Sequence, residues 1–292
     1  MLDFLQAVSD GVLFGATYAL IGIGFTLVFG VMHKLNLSYA AASIGGAYCG
    51  LLVLKVAAGA PAWLVFFGAF LAGGAIGWLV YLTCFHFIPL SNPLAPLMST
   101  VGMLLLFLYI IVHLTAGMAQ NYPAMFDDVM LRAGGFTLRG DLLLVFAISV
   151  LCMIGLLALL YRSKLGLATR AVSQQPVAAE LCGIRVASVN AMTFVITGLL
   201  GGVAGAMIGA SVGALSPLLT APLTVKGLIV TVIGGLGSVP GAILAGLLVG
   251  GLENVFQLYR GVTERDLYVM LLLFVFLVFR PGGIFAPKSG RH

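Results

Sequence analysis

The chain has 292 residues, of which 61% are hydrophobic and only 8% are charged, and its formal net charge is +5. Because a soluble domain of this length needs a largely polar exterior, the composition excludes an ordinary soluble fold. The chain is expected to be an all-α polytopic membrane protein, since each spanning helix needs about 20 apolar residues and many such runs are present. These runs are continuous, unlike the short alternating segments of a transmembrane β-barrel.

Nine apolar segments are predicted to cross the membrane, within an expected range of about eight to ten helices. In chain order they are residues 11–31, 37–54, 61–83, 94–116, 141–161, 189–214, 221–236, 239–257 and 267–280. Short or broken helices are expected in each half of a single transmembrane domain, residues 1–292. The basic excess is assigned to loops that face the lipid bilayer surface, and no basic stripe with aromatic platforms predicts nucleic-acid binding.

Two glycine-bearing regions interrupt the predicted spans. The first is HKLNLSYAAASIGGAYCG (residues 33–50), and the second is IGGLGSVPGAILAGLLVGG (residues 233–251). Irregular backbone at membrane depth is tolerated where protein or a water-filled cavity covers it, and paired broken segments point to a transport path. Close helix packing is the alternative interpretation. The predicted path residues are Asn36, Ser38, Tyr39, Gly234, Gly235, Gly237 and Ser238.

Two longer connections separate the spans, residues 117–140 and 162–188. The second carries Arg162, Lys164, Arg170 and Arg185, so the positive-inside rule places it in the cytoplasm. Alternation then places the N-terminus and residues 117–140 outside, and the C-terminus in the cytoplasm.

The cytoplasmic connection contains SQQPVAAELCGI (residues 173–184), which predicts a short helix. Pro176 suits the first turn, Ser173 or a neighbouring glutamine is the expected cap, and Gly183 suits the left-handed position just past the end. Such a short helix is not stable alone in water and must dock onto something. Residue chemistry leaves two interpretations open: a helix lying on lipid headgroups, or a coupling helix in the groove of a soluble ATPase.

The last third of the chain adds a glycine ridge and two charges. Glycines recur every four residues and predict close helix packing; they are Gly201, Gly205, Gly209 and Gly213. Lys226 and Glu253 lie in or beside predicted spans, and either could be functional, although Lys226 could instead extend to the surface. The scattered cysteines and histidines predict no metal site.

Three stretches resemble permease subunits of branched-chain amino acid type ABC importers. The stretch GATYALIGIGFTLVFGVMHKLNLSYAAASIGGAY keeps the family's Tyr-Ala-Leu and Thr-Leu positions, although Ser38-Tyr39-Ala40 stands where Ala-His-Gly is usual. The stretch RAVSQQPVAAELCGIRVASVNAMTFVITGLLGGVAG is similar to the family's cytoplasmic segment. The stretch VKGLIVTVIGGLGSVPGAILAGLLVGGLE is similar to its Lys-…-Gly-Gly-x-Gly-Ser-x-x-Gly-Ala signature.

The resemblance implies a transport subunit, not an enzyme, in a bacterial inner membrane. It implies import of branched-chain amino acids or related small polar solutes, delivered by an external solute-binding protein to a heterodimer with a second, related permease. Two cytoplasmic ABC ATPases would bind ATP and Mg²⁺, since this sequence contains no G-x-x-x-x-G-K-[ST]. The implied coupling residues are Arg170, Pro176, Ala178, Ala179, Glu180, Leu181, Gly183 and Ile184.

Other kinds of membrane protein remain as alternatives. A secondary active transporter would have Glu253 as its one candidate coupling carboxylate, and a membrane enzyme would need clustered reactive side chains. A channel would leave the cytoplasmic helix without a purpose.

Overall fold

The computed structural model describes residues 2–56, 61–88, 94–123, 130–133, 136–280 and 282–285. These residues form mainly α-helices, and the predicted all-α polytopic architecture is confirmed. The helices are α1 (Leu2–Met32), α2 (Tyr39–Val56), α3 (Ala62–Tyr81), α4 (Leu94–Thr115), α5 (Gly140–Arg162), α6 (Lys164–Gln174), α7 (Pro176–Leu181), α8 (Val186–Val212), α9 (Thr220–Gly234), α10 (Val239–Arg260) and α11 (Val262–Phe279). The strands are β1 (Gln120–Asn121), β2 (Met130–Ala133), β3 (Phe136–Arg139) and β4 (Ala214–Leu215).

Seven helical segments in the described chain are long and apolar enough to cross a membrane. They are α1, α3 with the π-helical turn Leu82–His86, α4, α5, α8, α9 with the 3₁₀ turn Pro217–Leu219, and α10. Helix α2 is a shorter apolar helix, and α11 carries three charged residues at positions 264–266 in its first turns. The chain is therefore built from membrane-spanning helices with short irregular turns.

Helix α1 lies inside the bundle, packed against α10, α8, α5 and α9. Gly11 and Gly15 of α1 face Gly246 and Gly250 of α10. A Cβ atom on Gly15 would lie 2.7 Å from the Gly246 carbonyl oxygen, which is closer than side chains pack. Glycine at these positions therefore lets the two backbones touch, and such small-residue contacts are a main source of helix association in membranes.

Three of the four glycines of the predicted α8 ridge lie in close contact with other parts of the bundle, and the last one does not. Gly201 faces the Tyr39 and Ser43 side chains, Gly205 faces the Ser43 carbonyl, and Gly209 faces the ring of Tyr122. Gly213 was expected on the same ridge, but this prediction is wrong. Its φ of 75° ends α8 in the left-handed region, and no atom lies within 4 Å of the position that a Cβ would take.

The connections lie at two opposite ends of the bundle. Helix α8 has 27 residues, which separates its ends by about 40 Å. Strands β1 and β4 pair antiparallel just past its C-terminal end, where the Tyr122 N–H donates to the Gly213 carbonyl at 3.0 Å. Burial raises the pKa of the Tyr122 phenol above its ordinary value. Of the predicted external connection, residues 124–129 and 134–135 lie outside the described residues.

The other end, called the α6 end below, contains the α1–α2 turn, α6 and α7, and the α9–α10 turn. Residues of α1, α5, α6 and the α9–α10 turn line one common cavity there. The C-terminal segment returns to the same end, where the Ile284 N–H donates to the Ile233 carbonyl at 2.8 Å. This arrangement is the one expected when successive helices cross the membrane in alternating directions. Which end faces the cytoplasm stays a prediction.

Replacing Gly205 with alanine is expected to destabilise the fold by about 1–3 kcal/mol, because the new methyl group would overlap the Ser43 carbonyl. Gly102→Ala is the matched control, since no atom lies within 4 Å of a Cβ at that position of α4. That variant should be neutral or more stable by up to about 1 kcal/mol, because alanine favours helix. Thermal unfolding in detergent checks both; equal unfolding temperatures for the two variants would contradict the packing argument.

Candidate functional site

The polar connection after α5 folds into two helices, although the sequence predicted one. Ser163 follows α5 and caps α6, accepting a hydrogen bond from the Gly166 N–H at 3.0 Å. The buried face of α6 carries Gly166, Thr169 and Val172, and it packs against α5, α1 and α8. A small residue is required at Gly166 because the chain there lies on the α5 carbonyls of Leu159 and Leu160. Helix α6 is therefore part of the bundle rather than a free loop.

Helix α7 begins one residue after α6. Pro176 lies at the start of the helix, where its missing N–H costs nothing. Gln175 takes the N-cap position without a side-chain bond, and the Ser173 hydroxyl donates to the Arg170 carbonyl at 2.8 Å instead. The expected side-chain cap is therefore absent, and the proline and the single-residue link fix the start.

The end of α7 is closed by backbone hydrogen bonds. Gly183 has a φ of +82°, the left-handed conformation that glycine adopts without strain. The Gly183 N–H donates to the Glu180 carbonyl at 2.9 Å, and the Ile184 N–H donates to the Ala179 carbonyl at 3.0 Å. This pair of bonds is a Schellman motif, which gives the six-residue helix a fixed end.

The two faces of α7 differ in exposure. Ala179 is 4% exposed and joins the hydrophobic core, where Ile184 also packs. Val177 and Leu181, four residues apart on the other face, are 67% and 86% exposed. Ala178 and Glu180 are exposed beside them. The helix is therefore anchored through Ala179 and presents an apolar surface with one carboxylate to whatever lies beyond it.

Arg170 lies apart from that surface. It is half-buried on α6, and its guanidinium carbon is 5.4 Å from the centre of the Tyr161 ring, a cation–π distance. Both side chains line the cavity at the α6 end. Of the residues that the resemblance implied for coupling, Arg170 thus belongs to the cavity, whereas those of α7 and its end belong to the exposed helix.

The polar groups of Asn36 and Ser38, in the first predicted path region, hydrogen-bond to each other. The Asn36 side-chain oxygen accepts hydrogen bonds from the Ser38 hydroxyl at 2.7 Å and the Ser38 N–H at 3.2 Å, and both residues are buried. Asn36 thereby shapes the turn that enters α2, a usual role of asparagine. These polar groups hold the turn by bonding to each other.

Tyr39 joins three helices. Its hydroxyl donates to the Thr197 carbonyl of α8 at 3.1 Å, and its ring packs edge-on against Phe25 of α1 at 5.2 Å. Gly24 and Gly201 give the ring its space. A side chain this enclosed holds α1, α2 and α8 together, and its role as a path residue stays a prediction.

The second predicted path region is a tight turn between α9 and α10. Gly235 and Gly237 have φ of 99° and 88°, and the Ser238 hydroxyl caps α10 by accepting from the Gly241 N–H at 3.2 Å. Gly234 packs on the Gly241 backbone.

This turn meets the first region only at the edge of one cavity. Gly237 and Ser238 line a cavity of about 540 Å³ together with residues of α1, α5 and α6; of the first region, His33 lines this cavity, whereas Asn36, Ser38 and Tyr39 do not. A common path through the two broken regions stays a prediction. Turn geometry and helix capping account for their glycines and hydroxyls.

A buried charge network joins four helices near the strand end of the bundle. The Lys226 ammonium of α9 is 2.8 Å from Glu253 Oε1 of α10 and 3.1 Å from Asp266 Oδ1 of α11. Arg265 Nε is 3.4 Å from the same Glu253 oxygen, and the Tyr18 hydroxyl of α1 donates to it at 3.3 Å. Lys226 and Glu253 are only 7% and 4% exposed, so Lys226 does not extend to the surface.

This network is electrically neutral, with two cations and two carboxylates. Neutrality matters because an unpaired charge in a membrane interior is costly. Tyr18, Arg265 and Asp266 were not foreseen from the sequence, where only the charged start of α11 hinted at them. Among the described residues, no group of three or more histidine, cysteine, aspartate or glutamate side chains is placed to hold a metal ion.

Lys226→Met is expected to destabilise the protein by about 3–5 kcal/mol, because it leaves Glu253 and Asp266 with only Arg265 to balance them. The double variant Lys226→Met/Glu253→Gln should recover part of that loss, since the remaining Arg265 and Asp266 cancel. Thermal unfolding in detergent measures both. Arg260→Gln, an exposed charge on α10, is the control and should change stability by less than about 0.5 kcal/mol. A double variant no more stable than Lys226→Met would contradict the pairing.

Several known proteins are similar to this chain over most of its length. A model of a family described as the permease component of branched-chain amino acid transport systems matches residues 7–279. The high-affinity branched-chain amino acid transport system permease protein LivH of Salmonella typhimurium is 30% identical over 295 residues, covering 97% of this chain and 96% of that one. BraD of Pseudomonas aeruginosa, a permease protein with the same description, is 30% identical over 293 residues, covering 96% and 95%. A solved structure of PsaBC from Streptococcus pneumoniae in complex with Fab is similar with a TM-score of 0.48 and 14% identity, over 98% of this chain and 93% of that chain.

Proposed function

The chain belongs to the family of permease components of branched-chain amino acid transport systems, and from this premise we propose that it is one of two permease subunits in an ATP-driven importer. Members of this family are transport subunits, not enzymes. The proposed solutes are branched-chain amino acids or related small polar molecules, in keeping with the descriptions of the relatives.

The exposed face of α7 is the observation that carries this proposal. In a polar connection, Val177 and Leu181 expose apolar side chains that have no partner among the described residues. Exposed apolar surface of this kind marks an interaction site. A soluble ATPase groove would cover this face, with Glu180 meeting a basic or polar group at its rim.

The anchoring of α7 suits it to transmit force. The single residue Gln175 links it to α6, and the Schellman turn and Ile184 link it to α8. Helix α8 in turn packs against α2 and α3. A displacement of α7 by a closing ATPase would therefore move two helices that reach into the bundle, rather than a loose loop.

The proposed assembly contains two cytoplasmic ABC ATPases, a second related permease that makes a heterodimer, and an external solute-binding protein. ATP and Mg²⁺ would be bound by the ATPases. The chain would lie in a bacterial inner membrane with its N-terminus outside and with the α6 end and C-terminus in the cytoplasm.

Leu181→Glu is expected to reduce retention of the ATPase on the purified permease by at least about tenfold, because it places a carboxylate in an apolar contact. Glu180→Lys should weaken retention in the same direction without touching the buried side of α7. Leu218→Glu is the matched control: Leu218 is an equally exposed leucine at the strand end, and its variant should keep the ATPase. Co-purification of tagged permease with the ATPases measures this; full retention by both α7 variants would sink the coupling assignment.

A native cysteine tests the proposed orientation. Cys182, beside α7, is exposed, whereas Cys84 is buried and Cys49 and Cys152 lie half-buried in apolar helices. A membrane-impermeant maleimide should label the permease in inside-out vesicles made without the ATPases, and not in right-side-out vesicles. The Cys182→Ser variant should remain unlabelled in both. Labelling from the outside would reverse the topology.

A further inference from the structure

The cavity at the α6 end lies apart from α7, none of whose residues lines it. It measures about 540 Å³ and lies between the end of α1, the end of α5, α6 and the start of α10. This volume falls in the range of small-molecule sites. Its walls are partly apolar, through Leu27, Phe29 and Leu160, and partly polar, through Arg170 and Ser238.

The one charged side chain among the described residues that line this cavity is a cation. It is Arg170, and none of these residues is an aspartate or glutamate. Arg170 makes no ion pair among the described residues, and its guanidinium lies in cation–π contact with Tyr161. Helix α10 begins on the same wall, and a helix N-terminus carries partial positive charge; because Ser238 caps the Gly241 N–H and Pro240 has none, Val239 is the first-turn residue whose N–H remains for a ligand. The cavity therefore favours an anion.

A buried hydroxyl at the cavity wall lacks a partner. Thr26 is 0% exposed, and its Oγ1 makes no hydrogen bond in the described structure. A threonine in a helix usually donates to the carbonyl four residues earlier, which here belongs to Gly22. The Thr231 hydroxyl, which donates to the Gly227 carbonyl at 2.8 Å, also lies 3.1 Å from the Gly22 carbonyl. Thr26 is thus left with an unmet hydrogen bond beside the cavity.

The depth of the cavity matches the edge of a bilayer. The apolar run of α5 ends at Tyr161, just before Arg162 and Lys164, and tyrosine and basic residues mark the membrane interface. On α1 the lining residues run from His33 back to Thr26, which is about 10 Å along the helix. The cavity therefore begins at headgroup level and reaches toward the hydrocarbon region.

We propose that this cavity binds an anionic phospholipid, with its phosphate on Arg170 and the start of α10, and its glycerol ester region toward Thr26. The apolar wall of Leu27, Phe29 and Leu160 would carry the first part of an acyl chain. Basic pockets between membrane helices commonly hold anionic headgroups. A zwitterionic lipid is disfavoured because no carboxylate lines the cavity to pair with its ammonium group. The site needs the bilayer but not the coupling role of α7.

Native mass spectrometry of the purified transporter, titrated with phosphatidylglycerol or phosphatidylcholine, tests this site. The parental protein should bind one phosphatidylglycerol per copy of this chain in preference to phosphatidylcholine. Arg170→Gln should weaken that binding about tenfold, in line with the loss of a charge-assisted contact. Arg185→Gln is the matched control: it removes an exposed positive charge from the same connection, outside the cavity, and should bind as the parent does.

Thr26→Val supplies a second variant of nearly unchanged shape, and it should weaken phosphatidylglycerol binding about two- to fivefold. Inorganic phosphate is added as a competitor: displacement of the lipid would identify a free-anion site and overturn the lipid assignment. Equal lipid binding by Arg170→Gln and Arg185→Gln would also overturn it. Retention of the ATPase, measured in parallel, separates this site from coupling: Arg170→Gln should keep the ATPase and lose the lipid, and the reverse result would return Arg170 to the coupling surface.

Discussion

Close backbone contact at glycine is the constraint on which this fold depends. Lipid is as apolar as leucine, so the hydrophobic effect does not draw α1 into the bundle once the chain is in the membrane. Gly15 and Gly250, on α1 and α10, approach so closely that dispersion and weak backbone contacts can hold the two helices together. The neighbours of α1 hold it in place. Three parts of the α6 end therefore keep constant relative positions: the turn after α1, helix α6 and the start of α10. Both the exposed α7 and the cavity beside α6 rely on that rigidity.

The charge network helps to distinguish a secondary carrier from a transporter driven by partner subunits. A secondary carrier couples through a carboxylate that gains and loses a cation or proton during transport. Glu253 instead shares one oxygen with Lys226, Arg265 and the Tyr18 hydroxyl, so its charge is already compensated by fixed groups of four helices. Such a neutral cluster serves to position α9, α10 and α11. The charges of this network are thus balanced without ion coupling, which agrees with transport powered by partner subunits.

Much of the fold could be predicted because its signals are local. Apolar length predicted nine spans, of which seven correspond to helical segments long and apolar enough to cross a membrane; segment 37–54 is a shorter apolar helix, and segment 267–280 lies in α11, whose first turns are charged. Pro176 and Gly183 predicted both ends of α7, since each acts through its own backbone. The contacts of Tyr39 and of the Asn36–Ser38 pair were not foreseen, because a polar side chain near a span looks the same in sequence whether it meets a solute or another helix. The partners of Lys226 were missed for a related reason: Asp266 lies 40 positions away, and only helix packing brings the two together. Gly213 shows that even a regular spacing fails where a helix ends.

Helix α6 is where these features meet. One side of it forms a wall of the cavity through Thr169, Arg170 and Ser173, and its C-terminal end is tied to α7 by one residue. Any movement of α7 must therefore change either the link at Gln175 or the distance between α6 and the start of α10. Since the backbone of α6 is held to α5 at Gly166, a pivot at that end would open or close the cavity at its other end. A group bound between Arg170 and α10 would resist that pivot, so occupancy of the cavity and the position of α7 should depend on each other.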